Sequence, residues 1–175
     1  LRASSGGYKM FDEEPTDAQR KMMGTLLETP NFYHYLSAVQ NLRITAAIKG
    51  HSEGDIEKVL KIVNLYQRTD SPFSTYSLGM KQRLAIGAAL LGDPDVLVFD
   101  EPTNSLDPVG IAEIRNLIKE LSANGKTIIM ASHLLDEVEK VCTHVAILKQ
   151  GELMATGHVN EIFAHDDIVQ LRASD

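Results

Sequence analysis

Cysteine, tryptophan and long apolar runs are what this sequence has least of. Cys142 is the only cysteine among 175 residues, and tryptophan is absent. A single cysteine excludes an intrachain disulfide and gives no sign of an oxidising compartment, so the sequence favours the cytosol. The longest apolar stretch, residues 84–91, is far shorter than the roughly 18 residues that span a bilayer. Attachment to a membrane would therefore require a partner protein.

Positive charge is also scarce. The chain has 17 Lys and Arg against 24 Asp and Glu, a net charge of -7 and a pI of about 5.3. Nucleic-acid binding depends on clustered Lys and Arg, so this balance argues against a nucleic-acid partner and disfavours an anionic lipid surface. The content of 43% hydrophobic residues is that of a globular chain, enough for one domain or a large part of one.

The beginning of the chain lacks the features of a true amino terminus. Leu1 stands where Met would, and the opening LRASSGG has no apolar core of a signal peptide. We therefore expect this terminus to be a cut within a longer protein.

Three segments are predicted to be helices. Residues 51–66 and 108–123 each place their apolar side chains on one face, whereas the segment after Ser77 is apolar nearly all round. Asn124 and Gly125 supply a stop signal for the second helix. The two faces consist of Ile56, Val59, Leu60 and Val63, and of Ile111, Ile114, Leu117, Ile118 and Leu121.

Short apolar runs at residues 96–99, 127–131 and 145–148 read as buried strands. Their alternation with helices predicts an α/β fold with a parallel sheet. Gln150 and Gly151 are typical of a hairpin turn, which would add an antiparallel edge. Residues 31–76 contain helices but no convincing strand, so we expect a helical subdomain there.

Two adjacent carboxylates, Asp100 and Glu101, end the strand in VLVFDEPTNSLDP. Ligands bind where parallel strands end. In phosphoryl transfer one acid at such a place holds Mg²⁺, usually through water, and a second orients or deprotonates the attacking water. Asp100 suits the first role and Glu101 the second. Taken alone, an acidic turn after a buried strand is an equally ordinary explanation.

Four further residues, at three places in the sequence, have an ordinary structural explanation, and for those at two of the places a functional one competes with it. Ser77 and Gly79 open an apolar helix, where free N–H groups can grip a phosphate, although Ser77 is equally explained as a helix cap. His133 comes after the strand at residues 127–131 and could contact a terminal phosphate, or be a plain loop residue. Asp107 before Pro108 has the pattern of an N-cap and first helical residue.

Together these pieces resemble the ATP-binding cassette (ABC) family, whose signature, Walker B, D-loop and switch histidine occur in this order. The matching segments are YSLGMKQRL, VLVFDE, NSLD and ASH. The resemblance covers nearly the whole chain and implies a partial nucleotide-binding domain of the P-loop NTPase class. Its parts would be a helical subdomain at residues 31–76, the motifs at residues 77–148 and a hairpin with a helix at residues 149–175.

The resemblance also implies residue roles and ligands. Asp100 would support Mg²⁺, Glu101 would be the catalytic base, and His133 would sense the γ-phosphate of ATP. Ser77 and Gly79 would contact ATP held by a second nucleotide-binding domain. The dimer interface would be crossed by Ser105, Leu106 and Asp107.

The segment LLETPNFYHYLSAVQNL is similar to the family's Q-loop, which links the nucleotide site to a transmembrane permease partner. Glu28 stands where Gln is usual, and a carboxylate there can still bind Mg²⁺ or water; the alternative is an ordinary surface acid. The signature departs as well, since Leu78 and Met80 stand where Gly and Gln are usual. These departures are similar to the branch of bacitracin and lantibiotic self-protection exporters.

The phosphate-binding loop of such an ATPase, Gly, four residues, Gly, Lys and Ser or Thr, does not occur in this sequence. The nearest match, Gly125-Lys126-Thr127, has Glu120 where the first Gly is needed and leads into a strand. The segment SSGGYKMF resembles the stretch that, in the family, comes after this loop and its helix. We therefore expect the chain alone to bind ATP poorly, to hydrolyse none, and to expose a sheet edge where the missing strand belongs.

Three hypotheses remain open. The first is the ATPase subunit of an exporter, cytoplasmic and peripheral on the inner face of the cell membrane. The second is a regulatory module without its own phosphate-binding loop that lends its signature face to a competent partner. The third, an ABC ATPase of DNA repair or chromosome maintenance, is disfavoured because no coiled coil interrupts the helical region and the charge is acidic.

Overall fold

The computed structural model describes residues 5–163, and the chain divides after Ser132 into two compact units that are treated separately. Within the described stretch, no helix combines the length and apolar character that a membrane crossing demands. The first unit contains α1 (Asp17–Lys21), β1 (Met23–Leu26), α2 (Ala38–Lys49), α3 (Asp55–Ile62), α4 (Leu78–Leu90), β2 (Val96–Asp100), α5 (Pro108–Ala123) and β3 (Thr127–Ala131). Two short 3-10 turns, Tyr66–Arg68 and Phe73–Thr75, precede α4.

The first unit is built on a parallel sheet with the strand order β1-β2-β3. Leu26 pairs with Phe99, and Asp100 pairs with Ala131, so all three strands end at the same edge. The predicted α/β class is confirmed, and the predicted strands β2 and β3 are present. β2 buries Leu97 and Phe99, but β3 is not the buried strand that its apolar run predicts, because it is the outermost strand among the described residues and its side chains are exposed or half-buried. β1 was not predicted, because a four-residue segment that contains Gly24 carries too little apolar pattern to indicate a strand.

Helix α4 is the centre of the core. Seven consecutive residues from Leu84 to Leu90 are buried, which confirms the expectation of a helix that is apolar nearly all round. Gly24 of β1 permits the close approach of this helix, because a Cβ atom at Gly24 would lie 2.2 Å from the carbonyl oxygen of Ala89. The sheet and its central helix therefore touch through backbone.

The two amphipathic helices pack as their periodicity predicts. Ile56, Val59 and Leu60 of α3 are buried, as is Val63 just beyond it, and α5 buries Ile114, Leu117, Ile118 and Leu121. Helix α5 ends at Ala123, with Asn124 as C-cap and Gly125 at φ +89°, so the predicted stop signal is confirmed. Helices also fill residues 38–75 without a strand, while their status as a subdomain stays a prediction.

Strand β3 is one edge of the sheet as far as the described residues show it. Ile129 in its middle is 58% exposed although it is a large apolar residue. An unpaired apolar strand edge invites pairing with a further strand. That this edge is the place of a missing strand stays a prediction.

The second unit contains α6 (Leu135–Val141), β4 (His144–Lys149), β5 (Glu152–His158) and α7 (Val159–Ile162). The run at residues 145–148 is a strand, but its assignment to the parallel sheet was wrong, because β4 pairs antiparallel with β5 in a two-stranded sheet. Gln150 and Gly151 both have positive φ, 53° and 84°, which gives the predicted tight hairpin. A short apolar run indicates a strand but not its partner. Within the predicted hairpin-and-helix segment of residues 149–175, the short helix α7 follows the hairpin, and residues 164–175 lie outside the described residues.

Replacing Gly24 by Ala tests the contact between β1 and α4. The added methyl group would overlap the backbone of Ala89, so we expect the free energy of unfolding to fall by about 1–3 kcal/mol. Urea unfolding followed by circular dichroism measures the change. Gly7→Ala is the matched control, because nothing lies within 4 Å of a Cβ atom there. Equal stability of the two variants would contradict the close packing.

Candidate nucleotide site at the carboxyl edge of the sheet

Three carboxylates lie just beyond the strands at the carboxyl edge of the parallel sheet. Glu28 comes two residues after β1, Asp100 ends β2, and Glu101 is the next residue. The backbone of Glu101 turns into the left-handed region at φ +47°, and its N–H donates to the carbonyl oxygen of Ala131 at 3.0 Å. This bond ties the start of the acidic turn to the end of β3.

A hydrogen bond joins the Glu28 segment to the loop after Glu101. The side-chain amide of Asn104 donates to Oε1 of Glu28 at 2.7 Å, across 76 positions of sequence. The sequence singles out Glu28 but does not reveal this contact, since no local pattern connects residues so far apart. Glu28 is thereby held at the edge where Asp100 and Glu101 lie.

The loop between β2 and α5 is a series of tight turns. The N–H of Asn104 donates to the carbonyl of Glu101, and the N–H of Leu106 donates to that of Thr103. Ser105 adopts φ +61° and is exposed. Asp107 caps α5 by accepting from the N–H of Gly110 at 2.8 Å, with Pro108 as first helical residue, so its N-cap explanation is confirmed.

Helices α4 and α5 begin side by side. A Cβ atom at Gly79, in the first turn of α4, would lie 3.9 Å from the Cα atom of Gly110, in the first turn of α5. Ser77 is the N-cap of α4 and accepts from the N–H of Met80 at 3.3 Å, which confirms its capping role. The positive ends of two helix dipoles therefore lie close together, an arrangement that favours an anion.

The oxygen ligands at this edge suit a Mg²⁺ ion that is bound together with a phosphate. They do not suit an ion that is coordinated by the protein alone. No group of three or more His, Cys, Asp or Glu suited to a metal ion occurs among residues 5–163. Mg²⁺ commonly uses one or two carboxylates and completes its shell with water and substrate phosphates. The hydroxyl of Thr103, buried beside the acidic turn, also has no hydrogen-bond partner among the described residues.

Lys126, the lysine of the nearest phosphate-loop match, lies at the opposite end of β3. Its ammonium group donates to the carbonyl oxygen of Asp93 at 3.1 Å and to the carboxylate of Asp93 at 2.8 Å. Lys58 donates to the other oxygen of that carboxylate at 3.1 Å. The interpretation of Gly125 and Lys126 as a helix stop before a strand is therefore confirmed.

Known transport proteins are similar to this chain in sequence. The chain is 42% identical over 142 residues to the bacitracin transport ATP-binding protein BcrA of Enterococcus faecalis, covering 80% of this chain and 46% of that protein. It is 38% identical over 151 residues to the lantibiotic transport ATP-binding protein SrtF of Streptococcus pyogenes, covering 86% and 66%. The chain thus spans only about half the length of BcrA.

Solved structures and a family model agree with these relatives. CbiO1 of Clostridium perfringens, described as part of the ABC transporter complex cbiONQ, superposes with a TM-score of 0.84 at 29% identity, covering 94% of this chain and 70% of that one. A model described as an AAA domain, putative AbiEii toxin, type IV TA system, matches residues 41–138, more than half of the chain. The chain thus matches a family of AAA domains over residues 41–138, and it belongs to the ATP-binding cassette family.

In this ABC-family chain the structure brings together part of the predicted site. Glu28, Asp100 and Glu101 share one edge of the sheet, while Ser77 and Gly79 lie where α4 begins beside α5. His133 opens the second unit, two residues beyond the end of β3, as its place in the sequence predicts. The functional role of each of these residues stays a prediction.

The two lysines that bind Asp93 have a consequence for stability in acid. Hydrogen bonds from Lys126 and then Lys58 lower the pKa of Asp93 below its ordinary value. A carboxylate with a lowered pKa in the folded state stabilises the fold at neutral pH, and this contribution disappears as the pH falls below about 4.

Asp93→Asn should therefore reduce the free energy of unfolding at pH 7 and change it much less near pH 3. Urea unfolding at several pH values measures the difference. Asp95→Asn is the control, because that carboxylate is 98% exposed and lies 3.9 Å from Lys126, so its effect should vary less with pH. A constant effect of Asp93→Asn across this range would contradict the assignment.

Proposed function

We propose that the complete protein containing this chain is the ATP-hydrolysing subunit of an ABC transporter, of the type that exports peptide antibiotics or drugs. The observation that carries the proposal is the gathering of Glu28, Asp100 and Glu101 at the carboxyl edge of a parallel sheet. Relatives named for bacitracin and lantibiotic transport support the exporter type. ATP and Mg²⁺ are the cofactors that this function requires.

Asp100 and Glu28 are the residues that would hold Mg²⁺. When it is bound with ATP, the ion would neutralise part of the negative charge of the phosphates. Glu101 comes after Asp100 on a turn that leads the chain away from the strand, and its carboxylate would accept a proton from the attacking water. The two carboxylates would have different roles because Asp100 is the last residue of the strand and Glu101 lies beyond it.

Binding of ATP would involve two nucleotide-binding domains. The starts of α4 and α5, with Ser77, Gly79, Ser105 and Asp107, would face ATP held by the second domain. Their N–H groups and helix dipoles favour a phosphate there. His133 would sense the γ-phosphate.

A transmembrane permease is the further partner. Glu28 belongs to the Q-loop segment, and the exposed Tyr33 and Tyr35 in the same segment offer a surface for such a partner. The protein would then be cytoplasmic and peripheral on the inner face of the cell membrane. The net charge of -7 disfavours nucleic acid as an alternative partner.

The half of the site that cradles the phosphates of the bound nucleotide has to come from a phosphate-binding loop. A strand that carries this loop would find in β3 an exposed edge with which to pair. If the complete protein has no such loop, the chain is instead a regulatory module. Its surface around Ser77 and Gly79 would then complete the ATP site of a partner that has the loop. The coding sequence ahead of Leu1 separates these two functions.

The chain of residues 1–175 on its own should not bind ATP with micromolar affinity, because nothing in it supplies the phosphate-binding loop. Isothermal titration with Mg²⁺ and ATP measures the affinity. The complete protein is the positive control. Micromolar binding by the chain alone would show that its own residues suffice to hold the nucleotide.

Glu101→Gln in the complete protein should slow ATP hydrolysis by about 10²- to 10⁴-fold, the usual contribution of a general base. ATP binding should be retained, since Gln has the same shape. Phosphate release and nucleotide binding are the two measurements. Glu120→Gln, an exposed change on α5, is the control. Unchanged hydrolysis in the Glu101 variant would remove this residue from catalysis.

A further inference from the structure

Asn104 is connected to two parts of the acidic edge at once. Its side-chain amide donates to Oε1 of Glu28 at 2.7 Å, and its backbone N–H donates to the carbonyl oxygen of Glu101 at 3.1 Å. It lies in the turn of residues 101–107, whose backbone is restrained by further hydrogen bonds. Asn104 therefore links the Glu28 segment to the turn that carries Glu101.

The chemistry of the pair suits a carboxylate at position 28. An ionised carboxylate only accepts hydrogen bonds, and the amide nitrogen of Asn104 only donates them. A hydrogen bond to a charged group is shorter and stronger than a neutral one, which agrees with the distance of 2.7 Å. The donor also offsets negative charge at an edge that already holds Asp100 and Glu101.

We propose that Asn104 is the positioning residue for Glu28, which it keeps at the carboxyl edge of the sheet where Mg²⁺ and ATP bind. The proposal rests on the proposed function and adds a residue to it. Asn104 acts through Glu28 and touches neither substrate nor metal. An acidic residue at position 104 would repel Glu28 and release the segment from the edge.

The polarity of the pair permits a reciprocal test. In Asn104→Asp two carboxylates face each other, so the bond is lost and replaced by repulsion. In the double variant Asn104→Asp with Glu28→Gln the bond re-forms in reverse, because the Gln amide donates to the Asp carboxylate. Glu28→Gln alone keeps the bond, since the Gln oxygen still accepts from Asn104.

The experiment measures kcat, KM for ATP and the Mg²⁺ concentration for half-maximal hydrolysis in the complete protein. We expect Asn104→Asp to lower kcat about tenfold and to raise the Mg²⁺ requirement, and the double variant to return to within about threefold of Glu28→Gln. Asn116→Asp is the matched control, because it adds the same charge at an exposed position of α5. Circular dichroism checks that each variant is folded.

The proposal would be overturned if Asn104→Asp lowered kcat by the same factor in the Glu28→Gln protein as in the unsubstituted protein, because the two residues would then act independently. If the unsubstituted complete protein hydrolyses no ATP, the proposed function fails and the pair is tested in the chain of residues 1–175 by NMR. There, Glu28→Ala should shift the side-chain amide resonances of Asn104 and leave those of Asn116 in place. No shift at Asn104 would overturn the pairing itself.

Discussion

Parallel pairing of β1 with β2 is the constraint on which the rest of this site depends. Because the two strands run in the same direction with Leu26 opposite Phe99, their acidic continuations emerge at one edge. The result is a concentration of carboxylates, of which Glu28 accepts a hydrogen bond from the amide of Asn104. A divalent cation and the N–H groups of neighbouring helix starts are the natural complement of this edge and of an incoming phosphate.

The polar groups at the two ends of the sheet differ in whether they have a partner. At the amino end, Asp93 is neutralised by Lys58 and Lys126, so its charge contributes to stability. At the carboxyl end, Thr103 keeps a buried hydroxyl without a partner in the part of the chain that the structure describes. A buried polar group without a hydrogen-bond partner is costly for a folded protein.

Much of the fold can be predicted from local sequence patterns. Periodic apolar residues predict α3 and α5, the apolar run before Asp100 predicts β2, and Gln150 with Gly151 predicts the hairpin turn. β1 cannot be predicted from its own four residues, because it is stabilised as a strand by pairing with β2 and by the close approach of α4 at Gly24. The partner of β4 cannot be predicted for a similar reason, since a four-residue apolar run fits either sheet.

Part of the candidate site can likewise be predicted from local sequence patterns, and part of it cannot. The carboxylates and helix starts are predictable because each motif is contiguous, and Glu28 is assigned through resemblance to the Q-loop. Its contact with Asn104 is not predictable, because 76 residues separate the pair and only the folded sheet brings them together.

Paramagnetic broadening tests the central claim most directly. Mn²⁺ would replace Mg²⁺ in the complete protein, in the Glu101→Gln form that retains ATP, and NMR would monitor backbone resonances across the sheet. Metal at the carboxyl edge should broaden the resonances of Glu28, Asp100 and Asn104 and leave those of Asp93 and Lys126 sharp. Broadening at Asp93 and Lys126 instead, or no ATP-dependent broadening at the carboxyl edge, would contradict the account.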